Sequence, residues 1–275
     1  MIDMKRVILT TDFSDNAKTA IEYGLQLFGS EGVTYTVLNT YREPGTSTAA
    51  MVSIAYYLYK ESESLLAELK TELEEKYPNH SIETLAKHGS LYPVVNSLAK
   101  NGLADYVVVG TRGASQVQNF FLGSNTMDVL RNVEIPTIIV PKDCEFKNIN
   151  SVALAVDFKP LQKQDILKPV VQLAGDQEAE ICAFHIQENG QDVMSDESPE
   201  VIDFFHTCGD IPHKFENIKN ENVAAGIGSY MDKSNADLMA IVARKHNFLE
   251  RLFQKSITKE VSLLASFPMA VVKEK

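Results

Sequence analysis

Apolar, β-branched runs alternate with stretches of helical period along the first half of the chain. Arg6 to Thr11 (RVILTT) is apolar almost throughout, which predicts a central strand of a parallel sheet, buried on both faces. Ser14 is a good N-cap for a helix over Asp15 to Phe28, with Ala17, Ile21, Tyr23, Leu25 and Phe28 as its apolar positions. Gly29 to Gly32 closes that helix, and Val33 to Thr40 predicts a second strand. A polar, small-residue loop from Arg42 to Ala50 leads into a long amphipathic helix over 51–77. Leu58, Leu65, Leu66, Leu69 and Leu73 form its apolar side, and Pro78 ends it. Ser81 to Ala86 predicts a third strand, and Pro93 suits the first turn of a helix running to Lys100. Val107, Val108 and Val109 predict a fourth buried strand. A helix opens at Gly123 and Ser124, carries Met127, Leu130 and Arg131 on successive turns, and stops before Pro136; Thr137 to Val140 predicts the fifth strand. Five strands alternating with four helices predict a doubly wound parallel sheet.

The pattern then restarts. After a short polar join, Cys144 to Asn150, the segment Val152 to Phe158 repeats Val7 to Phe13, so Asp12 falls on Asp157 at a shift of 145. Ala104-Asp105 falls on Ala236-Asp237 at a shift of 132, and from there the halves run without a gap, placing Pro136 on Pro268. The second copy is thus shorter in its middle, around the long helix of the first. The expectation is two tandem copies of one fold, residues 1–143 and 149–275.

Length and composition fit that reading. The chain has 275 residues, 44% of them hydrophobic and 23% charged, enough for two ordinary cores. A formal net charge of -11 repels phosphate backbones and anionic lipid, so nucleic acid is not an expected partner. No apolar run is long enough to span a bilayer, and the N-terminus lacks the arrangement of a signal peptide. Cys144, Cys182 and Cys208 are widely spaced, with no metal-ligand pattern, and read as reduced thiols of a cytoplasmic protein.

Candidate chemistry lies at the ends of the predicted strands. Gly110 and Gly113 follow the fourth strand, and Gly123-Ser124 opens the next helix. Glycine lets backbone approach an anion, and a helix N-terminus offers unpaired N–H groups with the positive end of the dipole. Glycine count alone leaves a second reading open, in which these residues serve only the turns of a βαβ crossover. Gly-x-x-Gly, nine residues, then Gly-Ser resembles the nucleotide-binding signature of the universal stress protein family. The strand end Thr10-Thr11-Asp12-Phe13-Ser14 and the last strand, Pro136 to Pro141, match as well.

That resemblance implies an adenine-nucleotide α-hydrolase-like, Rossmann-type fold. Its implied ligand is ATP, or ADP or AMP, with Mg2+ able to bridge the phosphates. Asp12 would hold the ribose hydroxyls. Thr10, Thr11 and the backbone at Thr40 would border adenine, although the family usually has an aliphatic residue at the place of Thr40 and often histidine at that of Asn39. Gly110 and Gly113 would approach ribose and phosphate. Gly123, Ser124, Asn125 and Thr126 would cradle the outer phosphates. Arg112 either counters phosphate charge or points into solvent. In the second copy Gly110, Gly113 and Gly123 become Val242, Lys245 and Lys255, and only Ser124 persists, as Ser256. One nucleotide site per chain is therefore expected, and Asp157 reads as a strand-end acid. The basic residues Arg244, Lys245, His246, Arg251 and Lys255 form a local cluster, read as a solvated face or an anion site.

By the same resemblance the last strands, 136–140 and 268–272, would pair as an internal pseudo-dimer, with further homodimerisation open. The expected role is a cytoplasmic, nucleotide-dependent stress-response regulator with an unknown protein partner. Its rivals are a partner-binding stress protein with vestigial sites and a slow ATPase. Adenylating or sulfurating enzymes of the wider group carry HxGH or SGGxDS-type motifs where this chain reads TTDFSDNA, which argues against them. A flavin electron carrier is the weakest alternative.

Overall fold

A computed structural model describes residues 4–43, 48–111, 122–142, 144–156, 164–188, 193–244 and 266–274. The chain divides into two compact units that change over between Phe146 and Lys147.

In the first unit β1 (Lys5–Thr11), β2 (Val33–Tyr41), β3 (Ser81–His88), β4 (Tyr106–Gly110) and β5 (Thr137–Val140) lie in the order β3-β2-β1-β4-β5. Every ladder among them is parallel. Between the strands run α1 (Asp15–Phe28), α2 (Thr48–Lys76), α3 (Leu91–Lys100) and α4 (Ser124–Asn132). This is the doubly wound arrangement that the hydrophobic pattern predicts. β1 and β4 are central and apolar, with Val7, Ile8, Leu9, Val107, Val108 and Val109 all buried, because helices cover both faces of a parallel sheet. α1 lies close on them. A Cβ added at Gly24 would fall 2.7 Å from Leu9 Cδ2 and 3.1 Å from Val108 Cγ2, so a larger residue there would force those side chains to give way.

The long helix differs from expectation in its stripe. Leu66, Leu69 and Leu73 are buried, whereas Leu65 is 36% exposed and Ser62 only 4%. Positions 62, 66, 69 and 73 repeat at the helical period, and Leu65 lies about 70° round the helix from the middle of that line. The buried stripe therefore begins with a hydroxyl.

The second unit repeats the order as β8-β7-β6-β9-β10, again wholly parallel. Its strands are β6 (Ser151–Ala155), β7 (Glu180–Gln187), β8 (His213–Lys219), β9 (Leu238–Arg244) and β10 (Met269–Glu274). A 3-10 turn (Gln164–Leu167) precedes α5 (Lys168–Asp176), followed by α6 (Pro199–Cys208) and α7 (Val223–Ser234). The shortened middle is visible: α6 has 10 residues where α2 has 29.

Registers repeat as well as order. Val7 pairs with Tyr106 and Val152 with Leu238; Val107 pairs with Thr137 and Met239 with Met269. One local device recurs with them. Asp105, just before β4, accepts from Arg6 N at 2.9 Å and from the Arg6 guanidinium at 2.8 and 2.7 Å. Asp237, just before β9, accepts from Asn150 N at 2.8 Å and Ser151 N at 3.1 Å. In both units an aspartate fastens the entry of the central strand to its neighbour. Removing the carboxylate strands partly buried N–H donors, so Asp105→Ala and Asp237→Ala should each cost about 1–3 kcal/mol. Urea unfolding would measure this, and midpoints unchanged in both variants would contradict it.

Candidate functional site

In a parallel sheet the carboxyl ends of the strands lie along one edge, where open α/β folds place ligands. In the first unit that edge is built by short polar contacts. β1 ends at Thr11, and the chain turns sharply because Phe13 adopts a left-handed conformation, φ 64°. Thr11 Oγ1 accepts from Phe13 N at 2.9 Å. Asp12 is exposed, and its Oδ1 accepts from Ser14 N at 3.1 Å and Ser14 Oγ at 2.6 Å. Ser14 Oγ in turn accepts from Ala17 N at 3.3 Å, capping α1 as its sequence position predicts. Asp12 thus presents a carboxylate at the top of β1, beside the first turn of a helix.

Other candidate residues are engaged in holding the edge. Thr10 is buried and donates to Val108 O at 3.0 Å, tying β1 to β4. Thr40 is half-buried near the end of β2, opposite Lys87. At Gly110 an added Cβ would lie 2.5 Å from Asn16 Nδ2 and 3.1 Å from Asn16 O. The approach of α1 to β4 thus crowds this position independently of any ligand: a side chain there would displace the Asn16 amide and press on the Asn16 carbonyl. Thr126, buried in the first turn of α4, donates from Oγ1 to Gly110 O at 2.7 Å. Thr111 N donates to Val140 O at 2.9 Å, and Gly123 N to Thr111 O at 2.8 Å.

These bonds anchor the N-terminus of α4, where Gly123 is the N-cap and Ser124 and Asn125 are exposed. Gly123 has φ -58° and ψ 153°, a conformation open to any residue. Backbone geometry does not demand glycine at this position, in contrast to the packing at Gly110. The structure thus gathers Thr10, Thr11, Asp12, Thr40, Gly110, Gly123, Ser124, Asn125 and Thr126 at one edge of one sheet. Arg112 and Gly113 lie outside the described residues.

Three buried polar residues of this edge were not legible as such from the sequence. Asn16 packs on Gly110, and Asn39 donates from Nδ2 to Thr11 O at 2.8 Å. Ser62 Oγ donates to Asn39 Oδ1, also at 2.8 Å. Beside Thr40 is an aromatic and acidic group. The Tyr41 ring lies 6.3 Å from Tyr59 and 5.7 Å from His88, Tyr59 OH donates to the Glu63 carboxylate, and His88 Nε2 contacts Glu43 Oε2 at 2.7 Å. The hydrogen bond from Tyr59 holds the Glu63 carboxyl below its ordinary value, and that from His88 does the same for Glu43.

The equivalent edge of the second unit is built differently. Val242, the counterpart of Gly110, is 7% exposed, and β9 continues past it to Arg244. There Ala243 and Arg244 stay in register with Lys273 and Glu274. The ladder runs on where the first unit's strand leaves the sheet. His185 takes the place of Asn39, with Nδ1 3.0 Å from Val156 O. Asp157, Lys245, His246, Arg251, Lys255 and Ser256 lie outside the described residues. Thiol chemistry finds no support: burial raises the Cys182 thiol and pushes Cys208 up to about 12. Among the described residues no group of three or more His, Cys, Asp or Glu is arranged to hold a metal ion. No helix among them is long and apolar enough to cross a membrane.

Comparison with known proteins places this geometry in context. The family model described as Universal stress protein family matches residues 4–141. Universal stress protein G of Salmonella typhimurium (strain LT2) is 30% identical over 102 residues, which are 35% of this chain and 71% of that protein. The crystal structure of a universal stress protein from Archaeoglobus fulgidus DSM 4304 is 19% identical and covers 99% of both chains, with a TM-score of 0.74. A functionally unknown protein from Pseudomonas aeruginosa PAO1 is 14% identical over 99% of this chain and 94% of its own, with a TM-score of 0.60. The two structures share the whole two-unit fold.

The crowding at Gly110 has a ligand-independent consequence. Gly110→Ala should destabilise the apo protein by about 1–3 kcal/mol, the usual cost of overpacking. Urea denaturation without nucleotide measures it, and a midpoint equal to that of the parent protein would refute the packing explanation.

Proposed function

Because the chain belongs to the universal stress protein family, we propose that its first unit binds an adenine nucleotide at the carboxyl edge of β1, β4 and α4. The physiological form is ATP, with ADP and AMP as the other candidates, and the bound nucleotide regulates a stress response through an unidentified protein partner. One observation carries this reading. Gly123 caps α4 in a conformation that does not require glycine, so what glycine contributes there is the absence of a side chain. Gly123 is itself buried, with its N–H bonded to Thr111 O, and the next amides of the helix N-terminus, at the exposed Ser124 and Asn125, suit phosphate oxygens. Asp12, exposed at the end of the central strand, suits a vicinal diol as hydrogen-bond acceptor. Mg2+ fits such a site as a bridge between phosphate oxygens, with most of its ligands supplied by water and phosphate. In the second unit the buried Val242 and the prolonged β9–β10 ladder favour one nucleotide per chain.

The chemistry proposed is holding, not turnover. Fast phosphoryl transfer needs positive charge at the γ-phosphate and a group that orients the nucleophile. The backbone amides of 124–126 and the Ser124 hydroxyl would supply charge stabilisation alone, since Gly123 N and Thr126 Oγ1 are already bonded within the unit, and Asp12 is assigned to the ribose, far from the γ-phosphate. Single-turnover assays should give a rate below about 1 s⁻¹. A faster rate, abolished by Asp12→Asn or Arg112→Ala, would make the protein an enzyme.

Titration calorimetry with ATP on the full chain should give a single site, and Gly123→Val should weaken binding by at least about a hundredfold, because a β-branched side chain would displace phosphate from the amides. Two equal sites, or Gly123→Val binding within about twofold of the parent protein, would count against the cradle. Absence of binding altogether would favour the alternative, a partner-binding protein with vestigial sites.

A further inference from the structure

Two polar side chains of the first unit are buried among its apolar ones. Asn39 is 8% exposed near the end of β2, and Ser62, 4% exposed, heads the leucine stripe of α2. Their bonds form a relay: Ser62 Oγ to Asn39 Oδ1 at 2.8 Å, and Asn39 Nδ2 to Thr11 O at 2.8 Å. The polarity of the relay is fixed by chemistry. A main-chain carbonyl can only accept, so the amide must turn its NH2 to Thr11 and its oxygen to the serine hydroxyl. Stability alone is a weak reason for such groups, since a buried hydrogen bond returns little net energy beyond that of well-packed apolar side chains.

The location of the relay is more telling. The Thr11 carbonyl is the last of β1, adjacent to Asp12 and to the left-handed turn at Phe13. The second unit makes the same strand-end bond with another side chain, since His185 Nδ1 lies 3.0 Å from Val156 O. Val156 and His185 are the counterparts of Thr11 and Asn39 in the repeated register. The strand-end bond therefore belongs to the fold, while the extension through Ser62 reaches into the long helix of the first unit.

We propose that Asn39 and Ser62 are positioning residues of the nucleotide edge: they hold the Thr11–Asp12 strand end in its binding geometry and couple it to α2. For its ligand this inference rests on the nucleotide reading above; for its geometry it does not. Removing the Ser62 hydroxyl leaves Asn39 Oδ1 without its donor, and the amide loses the orientation that serves Thr11. Binding at Asp12 and ordering of α2 around Ser62 are then two ends of one equilibrium.

The test compares Ser62→Ala, Asn39→Leu and Asn39→His with the parent protein, each as the full chain. Amide exchange without ligand is read at Phe13, Ser14 and residues 58–66, and ATP affinity is read by calorimetry. Ser62→Ala and Asn39→Leu should speed exchange at Phe13 and Ser14 and weaken ATP about tenfold, the effect of losing one buried hydrogen bond. Asn39→His, which copies the second unit, should bring both back to within about threefold of the parent. In the parent, ATP should slow exchange across 58–66, and Ser62→Ala should lose that protection. Exchange at Phe13 and Ser14 unchanged in Ser62→Ala would overturn the inference, whether or not Asn39→Leu folds. Faster exchange with ATP affinity unaltered would overturn it too, by reducing the relay to a structural role. If the parent binds no ATP while the exchange pattern holds, the nucleotide reading fails and the strand-end role stands.

Discussion

Burial of the central strands on both faces is the constraint on which the rest of each unit depends. β1 and β4 in the first unit, and β6 and β9 in the second, have nearly every side chain inside, so helices must cover both sides of each sheet. The chain can expose polar chemistry only where it leaves a strand. In a parallel sheet the departures towards helices share one edge, and helix N-termini point at it. The first unit seals that edge with bonds from Thr10 to Val108, Thr126 to Gly110, Gly123 to Thr111 and Asn39 to Thr11. Exposed among these fixed groups are Asp12, Ser124 and Asn125. A scaffold that spends its hydroxyls and amides internally leaves a small, preorganised set of groups for a ligand.

The fold was legible because its signals are local and periodic. The valine run of β4 and the alternation of strands with helices state the architecture in one dimension, and the bounds of α1 follow from Ser14 and Gly29. The internal repeat was legible through Asp12 with Asp157 and Asp105 with Asp237, and the structure gives the second pair its physical meaning as strand clamps. The stripe of α2 was less so. Leu65 and Leu66 are equivalent by composition, and only packing shows that Ser62 takes the buried place. The edge residues Asp12 and Gly123 to Thr126 could be named because their spacing is a motif. Asn16, Asn39 and Ser62 could not, because a buried polar residue owes its role to a partner distant in sequence, such as Thr11 O for Asn39. Gly110 is instructive, since its spacing suggests a ligand while its crowding by Asn16 accounts for the glycine without one.

The two copies show how one scaffold diverges. Where the first unit has Gly110 the second has Val242, and β9 runs on to Arg244, paired along β10 as far as Glu274. The entry clamp and strand order, which the fold itself requires, are retained. Shortening α2 from 29 residues to the 10 of α6 alters only one crossover, and the registers on either side are unchanged.

The central claim, a nucleotide held at the edge of the first unit and not of the second, is tested most directly by amide chemical-shift mapping of the full chain with ATP. Perturbations should concentrate at Thr11 to Ser14, Gly110, Thr111 and Gly123 to Thr126, while Val156 and Val242 to Arg244 stay in place. Shifts centred on the second unit, or none at saturating ATP, would contradict it.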